Sequence, residues 1–284
     1  MKLPLEGIRQ AAYDRWEHRG RSHGFDRLDW LAAERQERFD RNYRVVAADR
    51  LNQVDPRVVG STTTRRCRFC GGASPRVEFT ETVAIFPANF GPGSPLAIDQ
   101  CEDCASTFAD EIDPALLRFV GPYLRPTEGD VAPSGSISVA AFKGLVKLAI
   151  SVMPVDQLDD YEETIDWVGN PDHDFDLSVF RDMACVIHPV SSPFPASWSA
   201  LAEKTEEGEA WPSMLYFLGL KRVILQITVP LGRRDDELEI PTSSLPDVLP
   251  PSPFGLGFDP IARLILPIRS ISRITSLPAT RLVA

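Results

Sequence analysis

The sequence predicts an α+β fold: helices lead, a four-cysteine segment follows, and helices and a mostly antiparallel sheet close the chain. Three observations carry this. Apolar residues recur at helical spacing in residues 6–43 and again in 140–169. Four of the five cysteines form two CxxC pairs, Cys67/Cys70 and Cys101/Cys104. From about residue 180 the apolar runs become short, β-branched and bounded by turn residues. The expected organisation is a helical hairpin over 1–46, a cysteine module over 47–125 and a helix-plus-β domain over 137–284.

In the first segment, Ile8, Ala12 and Trp16 are spaced by four and share a helical face, and Gly20 and Gly24 supply the stop. A second helix is expected from Asp26 or Asp29, with Trp30, Leu31, Phe39 and Tyr43 as its apolar anchors. Two such helices need a further surface on which to bury their stripe. Residues 47–66, with Pro56, Gly60 and the run STTTRR, read as a linker.

Cys67-Arg-Phe-Cys70-Gly71-Gly72 has the form of a zinc knuckle, two thiols on a tight turn with glycine relieving the backbone behind them. Cys101-Glu-Asp-Cys104 offers a second pair thirty residues on. Four thiolates complete a tetrahedral Zn²⁺ shell and leave no open position, so Cys67, Cys70, Cys101 and Cys104 are the expected ligands of a structural ion. Two unrelated pairs, or one redox pair, are the alternatives. Between the pairs, Val77, Phe79, Val83 and Ile85 alternate as a strand, and a helix is expected after Cys104.

Further on, residues 140–154 and 157–169 read as amphipathic helices ended by Pro154 and Gly169. The runs DMACVIHPV, SMLYFLGL, RVILQITVP and ARLILPI read as strands, and the Pro-rich stretch 231–255 as an exposed loop. Asp172, His173, Asp174 and Asp176 form a D-H-D-x-D cluster without the glycine and downstream glutamate of a calcium loop, which favours a solvated cap. Cys185 and His188 are three apart on a strand and therefore face opposite ways, which makes Cys185 a core thiol. No phosphate loop, dinucleotide fingerprint, HExxH or GxSxG motif occurs.

Two stretches resemble known families. Ala12, Tyr13, Trp16, Arg19, Gly20, Gly24, Asp29, Trp30, Ala33 and Glu34 match the pattern of a small bacterial domain of unknown function, over roughly residues 6–40. That resemblance implies a bacterial origin and no activity. Cys67, Phe69, Cys70, Gly71, Phe79, Glu81, Ile85, Pro87, Gly91, Cys101, Cys104, Phe108, Phe119, Gly121 and Pro122 resemble the HNH endonucleases framed by two CxxC pairs. Residues 140–154 resemble the segment C-terminal to the module in some of those proteins, which extends the likeness over roughly 67–154. It implies a zinc-supported ββα module.

The family's catalytic histidine, however, would fall at Thr82 or Val83, and its asparagine at Ala105. No histidine lies between His23 and His173. Neither alanine nor valine can take a proton from water. Glu81, Asp99, Glu102 and Asp110 remain as isolated carboxylates with no metal-binding spacing. The expectation is therefore the nuclease fold without its chemistry: a zinc-binding module that holds nucleic acid or a protein. An active nuclease with a base relocated to His173 or His188 is one alternative, and a purely structural protein–protein module is the other.

Charge bears on the partner. The net charge is −10, yet residues 1–76 carry 16 Lys+Arg against 10 Asp+Glu, and the remainder 14 against 30. A basic N-terminal third can touch nucleic acid where the acidic remainder would repel it, with Arg65, Arg66, Arg68 and Arg76 as candidate contacts. Interleaved Arg and Glu equally fit a solvated helix face. The start MKLPLEGIRQ has no apolar signal segment, and no apolar run approaches the roughly 20 residues of a membrane span. With cysteines in metal-type pairs, the expectation is a soluble cytoplasmic protein with no membrane partner.

Overall fold

The computed structural model describes residues 5–61 except 19 and 22, 65–125, 136–170, 173, 185–206 except 191 and 192, 211–235 except 231, 246–250, and 264–269 except 267. In chain order the helices and strands are α1 (Leu5–His18), α2 (Asp26–Asn42), β1 (Tyr43–Arg50), β2 (Val58–Val59), β3 (Val83–Ala84), β4 (Leu96–Ala97), α3 (Glu102–Thr107), α4 (Asp113–Leu124), β5 (Ile137–Ser138), α5 (Val139–Val152), α6 (Glu162–Gly169), β6 (Cys185–Pro189), β7 (Trp198–Lys204), β8 (Met214–Leu220), β9 (Val223–Thr228), β10 (Leu264–Leu266) and β11 (Ile268–Arg269). The fold is α+β. Among the described residues no helix is long and apolar enough to cross a membrane.

The main sheet has six strands in the order β1-β7-β8-β9-β6-β10, every neighbouring pair antiparallel. Both faces are covered, and the alternation of side chains shows it. Met214, Tyr216, Leu218 and Leu220 of β8 join one core, while Leu215 and Phe217 join another with Phe39 from the end of α2 and Tyr43 at the start of β1. Phe39 lies edge-on to Phe217 with centroids 5.9 Å apart, so the hairpin's apolar anchor is spent on the sheet. Trp30 and Leu31, expected beside it as anchors, are only half-buried.

The linker reading of residues 47–66 fails at its start. Tyr43–Arg50 is a strand that pairs along β7, with an irregularity between Val45 and Ala47. Its period-two signal is broken by that bulge and diluted by Arg44, Asp49 and Arg50, which is why it escapes a pattern reading. β7 itself, WSALAEK, carries no clear strand signal either; its Ala, Ser and Glu do not favour strands, and burial between two neighbours decides its state. The Pro-rich 231–255 stretch is not wholly an exposed loop: Val248 and Leu249 are fully buried, and Arg35 of α2 pairs with Asp247 at 2.9 Å.

On the other face of the sheet lies α5, capped by Ser138, whose hydroxyl accepts from Ala141 N at 3.2 Å. Eleven of its 14 residues are buried, so it is a central helix with sheet on one side and the cysteine module on the other. Gly144 permits the close crossing with α4: a Cβ there would stand 2.8 Å from Leu116 Cβ. Lys147 of α5 is buried with its ammonium 2.8 Å from Asp113 and 5.4 Å from the Phe108 ring centroid. Desolvation lowers its pKa against the pull of Asp113.

Candidate metal centre

The first CxxC pair sits on a turn that the backbone closes twice. Cys67 N donates to Gly72 O at 2.8 Å, and Gly71 N donates to Cys67 O at 2.9 Å. Gly71 has φ 65°, a left-handed conformation that favours glycine. The turn carries Cys67 buried and Cys70 exposed. In the second pair, Cys101 precedes α3 in extended conformation, and Ala105 N returns to its carbonyl at 3.0 Å. That helical turn brings Cys104 back beside Cys101, and both are buried.

The tertiary fold draws the two pairs into one cluster. The four Sγ atoms lie within 4.8 Å of one another, and Cys70 and Cys101 are 3.7 Å apart. Backbone amides aim at the sulfurs: Gly72 N at Cys70 Sγ and Cys101 N at Cys67 Sγ, each at 3.4 Å. A hydrogen bond from Cys104 draws the Cys67 thiol down to about 5, against the upward pull of its burial. Burial, reinforced by the neighbouring Cys67 charge, pushes Cys101 up to about 11, and the bond Cys104 gives to Cys67 raises Cys104 further. One thiolate is thus readily held and further ones are opposed. A divalent cation removes that opposition, and binding it would release protons.

A buried ion pair with no sequence signature ties the first cysteine turn to Asp99 and to α5. Arg68, between the first two cysteines, has a fully buried side chain and meets Asp99 through two bonds of 2.9 and 2.7 Å. Its remaining nitrogen donates to Ile150 O and Ser151 O at 2.8 and 2.9 Å, at the C-terminal end of α5. Arg68 is therefore unavailable as the phosphate contact expected of it, and Asp99 as an isolated carboxylate ligand. Phe69 packs edge-on against Phe108, centroids 4.6 Å apart, where a π-helical turn (Phe108–Ile112) joins α3 to α4.

Between the cysteine pairs the expected strand is shorter than its pattern. Only Val83–Ala84 is a strand, antiparallel to β4, which also takes β2 in parallel. Val77 and Phe79 pack on the core without a strand partner, and the carbonyl between them, Glu78 O, receives Glu102 N at 2.9 Å. Thr82 is exposed, Val83 opens β3, and Ala105 lies within α3. Glu81, Glu102 and Asp110 are exposed, and among the described residues the four cysteines are the only cluster of metal-ligating side chains.

The two relocated bases fare differently. His188 is fully buried in the sheet with Nε2 2.8 Å from Gln226 Oε1, which removes it from any role over the hairpin. Cys185 is buried on the opposite face of β6, and burial raises its pKa. His173 lies 3.4 Å from Asp166 of α6, and its companions Asp172, Asp174 and Asp176 lie outside the described residues. A cleft of about 370 Å³ opens between the knuckle and residues 155–166, with Arg66, Cys70 and Gly71 on one wall and Leu158, Asp159 and Ile165 on the other.

Residues 6–36 match the model of a family described as a protein of unknown function, DUF2934. No curated protein and no solved structure matches the chain.

Proposed function

We propose that the chain is a zinc-binding protein of degenerate HNH type, in which the ion is structural and the module binds a macromolecule without cutting it. The observation that carries this reading is the tetrathiolate cluster. Tetrahedral zinc with Zn–S near 2.3 Å puts sulfurs about 3.8 Å apart, and Cys70 and Cys101 stand at 3.7 Å. Four thiolates fill the shell, so the metal has no place for substrate. The ligands would be Cys67, Cys70, Cys101 and Cys104, in a cytoplasm reducing enough to keep them as thiols.

The hairpin-then-helix order of β3, β4 and α3 supports the HNH likeness. Thr82, Val83 and Ala105 at the family's catalytic positions support the absence of chemistry. As to the partner, the basic excess of the N-terminal third is partly consumed inside the fold. Arg44 pairs with Glu203, Arg57 with Asp49 and Arg68 with Asp99. Arg65, Arg66 and Arg76 stay exposed around the knuckle. This favours a protein partner, with those three arginines as the test of nucleic acid. If phosphate is the target, replacing them with alanine will weaken binding and flatten its salt dependence.

The deciding experiment pairs metal quantification with incubation of the chain, supercoiled plasmid and Mg²⁺ or Mn²⁺, with Cys101→Ser as control. One zinc per chain and no nicking is the expected outcome. Nicking that EDTA blocks would restore the nuclease reading, with His173 as the base to replace first.

A further inference from the structure

Of the four clustered cysteines, three are buried and Cys70 is exposed; Cys70 and the buried Cys67 both line the cleft between the knuckle and residues 155–166. A cleft of about 370 Å³ admits a small oxidant. Behind Cys70, 3.7 Å away, lies the buried Cys101 sulfur, from the other CxxC pair and therefore from a different part of the module. An accessible sulfur with a shielded one in contact behind it is the arrangement of an attacking and a resolving thiol.

We propose that Cys70 is a site of oxidation by hydroperoxides and that Cys101 resolves it, which makes the cysteine module a peroxide-sensitive element. This rests on the proposed four-thiol metal site. The Cys70 thiolate attacks one peroxide oxygen; the O–O bond breaks, hydroxide leaves and takes a proton, and Cys70 becomes a sulfenic acid. Cys101 then attacks the Cys70 sulfur; the S–O bond breaks, water leaves and an S–S bond forms. In sum, two thiols and one hydrogen peroxide yield a disulfide and two waters, the two electrons passing from sulfur to peroxide. Two of the four ligand positions are thereby consumed, so the module can no longer hold its ion. Cys185, fully buried in the sheet core, is spared and serves as an internal reference.

The test treats the metal-loaded full chain with hydrogen peroxide in slight excess. Metal release is followed with a chromophoric chelator, sulfenic acid is trapped with dimedone, and adducts and disulfides are mapped by mass spectrometry. Dimedone should label Cys70 at least tenfold faster than any other cysteine. Without dimedone, the first disulfide should join Cys70 to Cys101 as one ion leaves per chain, and dithiothreitol with added zinc should reverse it. Labelling led by another cysteine, a first disulfide within either CxxC pair, or metal retained through oxidation would overturn the proposal. A chain that purifies without a thiolate-bound metal sinks the structural-zinc reading instead, before any oxidant is added. Cys185→Ser should leave rate and products unchanged; a slowed release would place the reactive sulfur in the sheet.

Discussion

The cysteine module and the six-stranded sheet are held together by different means. The module has two-residue strands, short turns and a 3.7 Å contact between cysteines from different pairs. The sheet has central strands of five to seven residues, with buried side chains on both faces. In the first region a few polar and ligand interactions define the geometry. In the second, burial does, spread over many side chains. The lesson is where each is vulnerable: the module to loss of one sulfur, the sheet only to changes that open a cavity or strand a charge.

The largest expected effect tests this division directly. Cys101→Ser, or chelation, should release the knuckle and its small sheet, because structural zinc contributes on the order of 10–16 kcal/mol in isolated fingers. Hydrogen exchange should show lost protection at residues 67–72 and 96–104, with β8 and β9 still protected. Loss of protection in both would mean that α5, buried against each, welds them into one cooperative unit.

Next come two substitutions of comparable size on opposite sides of the division. Asp99→Ala leaves the Arg68 guanidinium buried without its carboxylate, at a cost of about 3–5 kcal/mol, and should weaken metal affinity as well. Phe217→Ala opens a cavity in the core beneath α2, also about 3–5 kcal/mol, and should leave metal content unchanged. Denaturant unfolding with metal quantification reads both. A metal site indifferent to Asp99→Ala would show that Arg68 is not what fixes the knuckle.

The smallest effect is a titration near the end of β7. Burial pushes the Glu203 carboxyl up, but bonds from Arg44 and Arg234 at 2.8 and 2.7 Å outweigh it, and the net shift is downward. A folded carboxyl that titrates below its unfolded value stabilises fully above the unfolded range near pH 4.3, and that contribution is lost as pH falls through the folded value. Glu203→Gln should therefore cost about 1 kcal/mol near neutrality, since both arginines are largely solvent-screened. The gap between variant and parent should close as pH falls below the unfolded range and through the folded value. A gap that stays constant through that acid range would assign the effect to packing.

Some of this was legible residue by residue. The two CxxC pairs point to their cluster without help, because two thiol pairs at that spacing are the common donor set of a four-sulfur metal site. The helices around Ile8, Phe39 and Phe142 follow from their 3.6-residue periodicity, and β8 and β9 from their β-branched runs. β1 and β7 were hidden because their composition is weakly strand-like, and each is made a strand by pairing with the other, 159 residues apart at Arg44 and Glu203. The Arg68–Asp99 pair was hidden for the same reason, as nothing local marks an arginine inside a CxxC as one that will be buried.

By itself, then, the sequence determined the α+β class, the two CxxC pairs, and the helices and strands with strong periodicity, because each depends on residue type and local spacing. Only the tertiary structure decided that the N-terminal hairpin feeds directly into the main sheet and that α5 lies buried between sheet and module. It likewise decided that, of the four clustered cysteines, Cys70 is exposed while the other three are buried. These depend on contacts between distant segments, where burial and pairing override local preference.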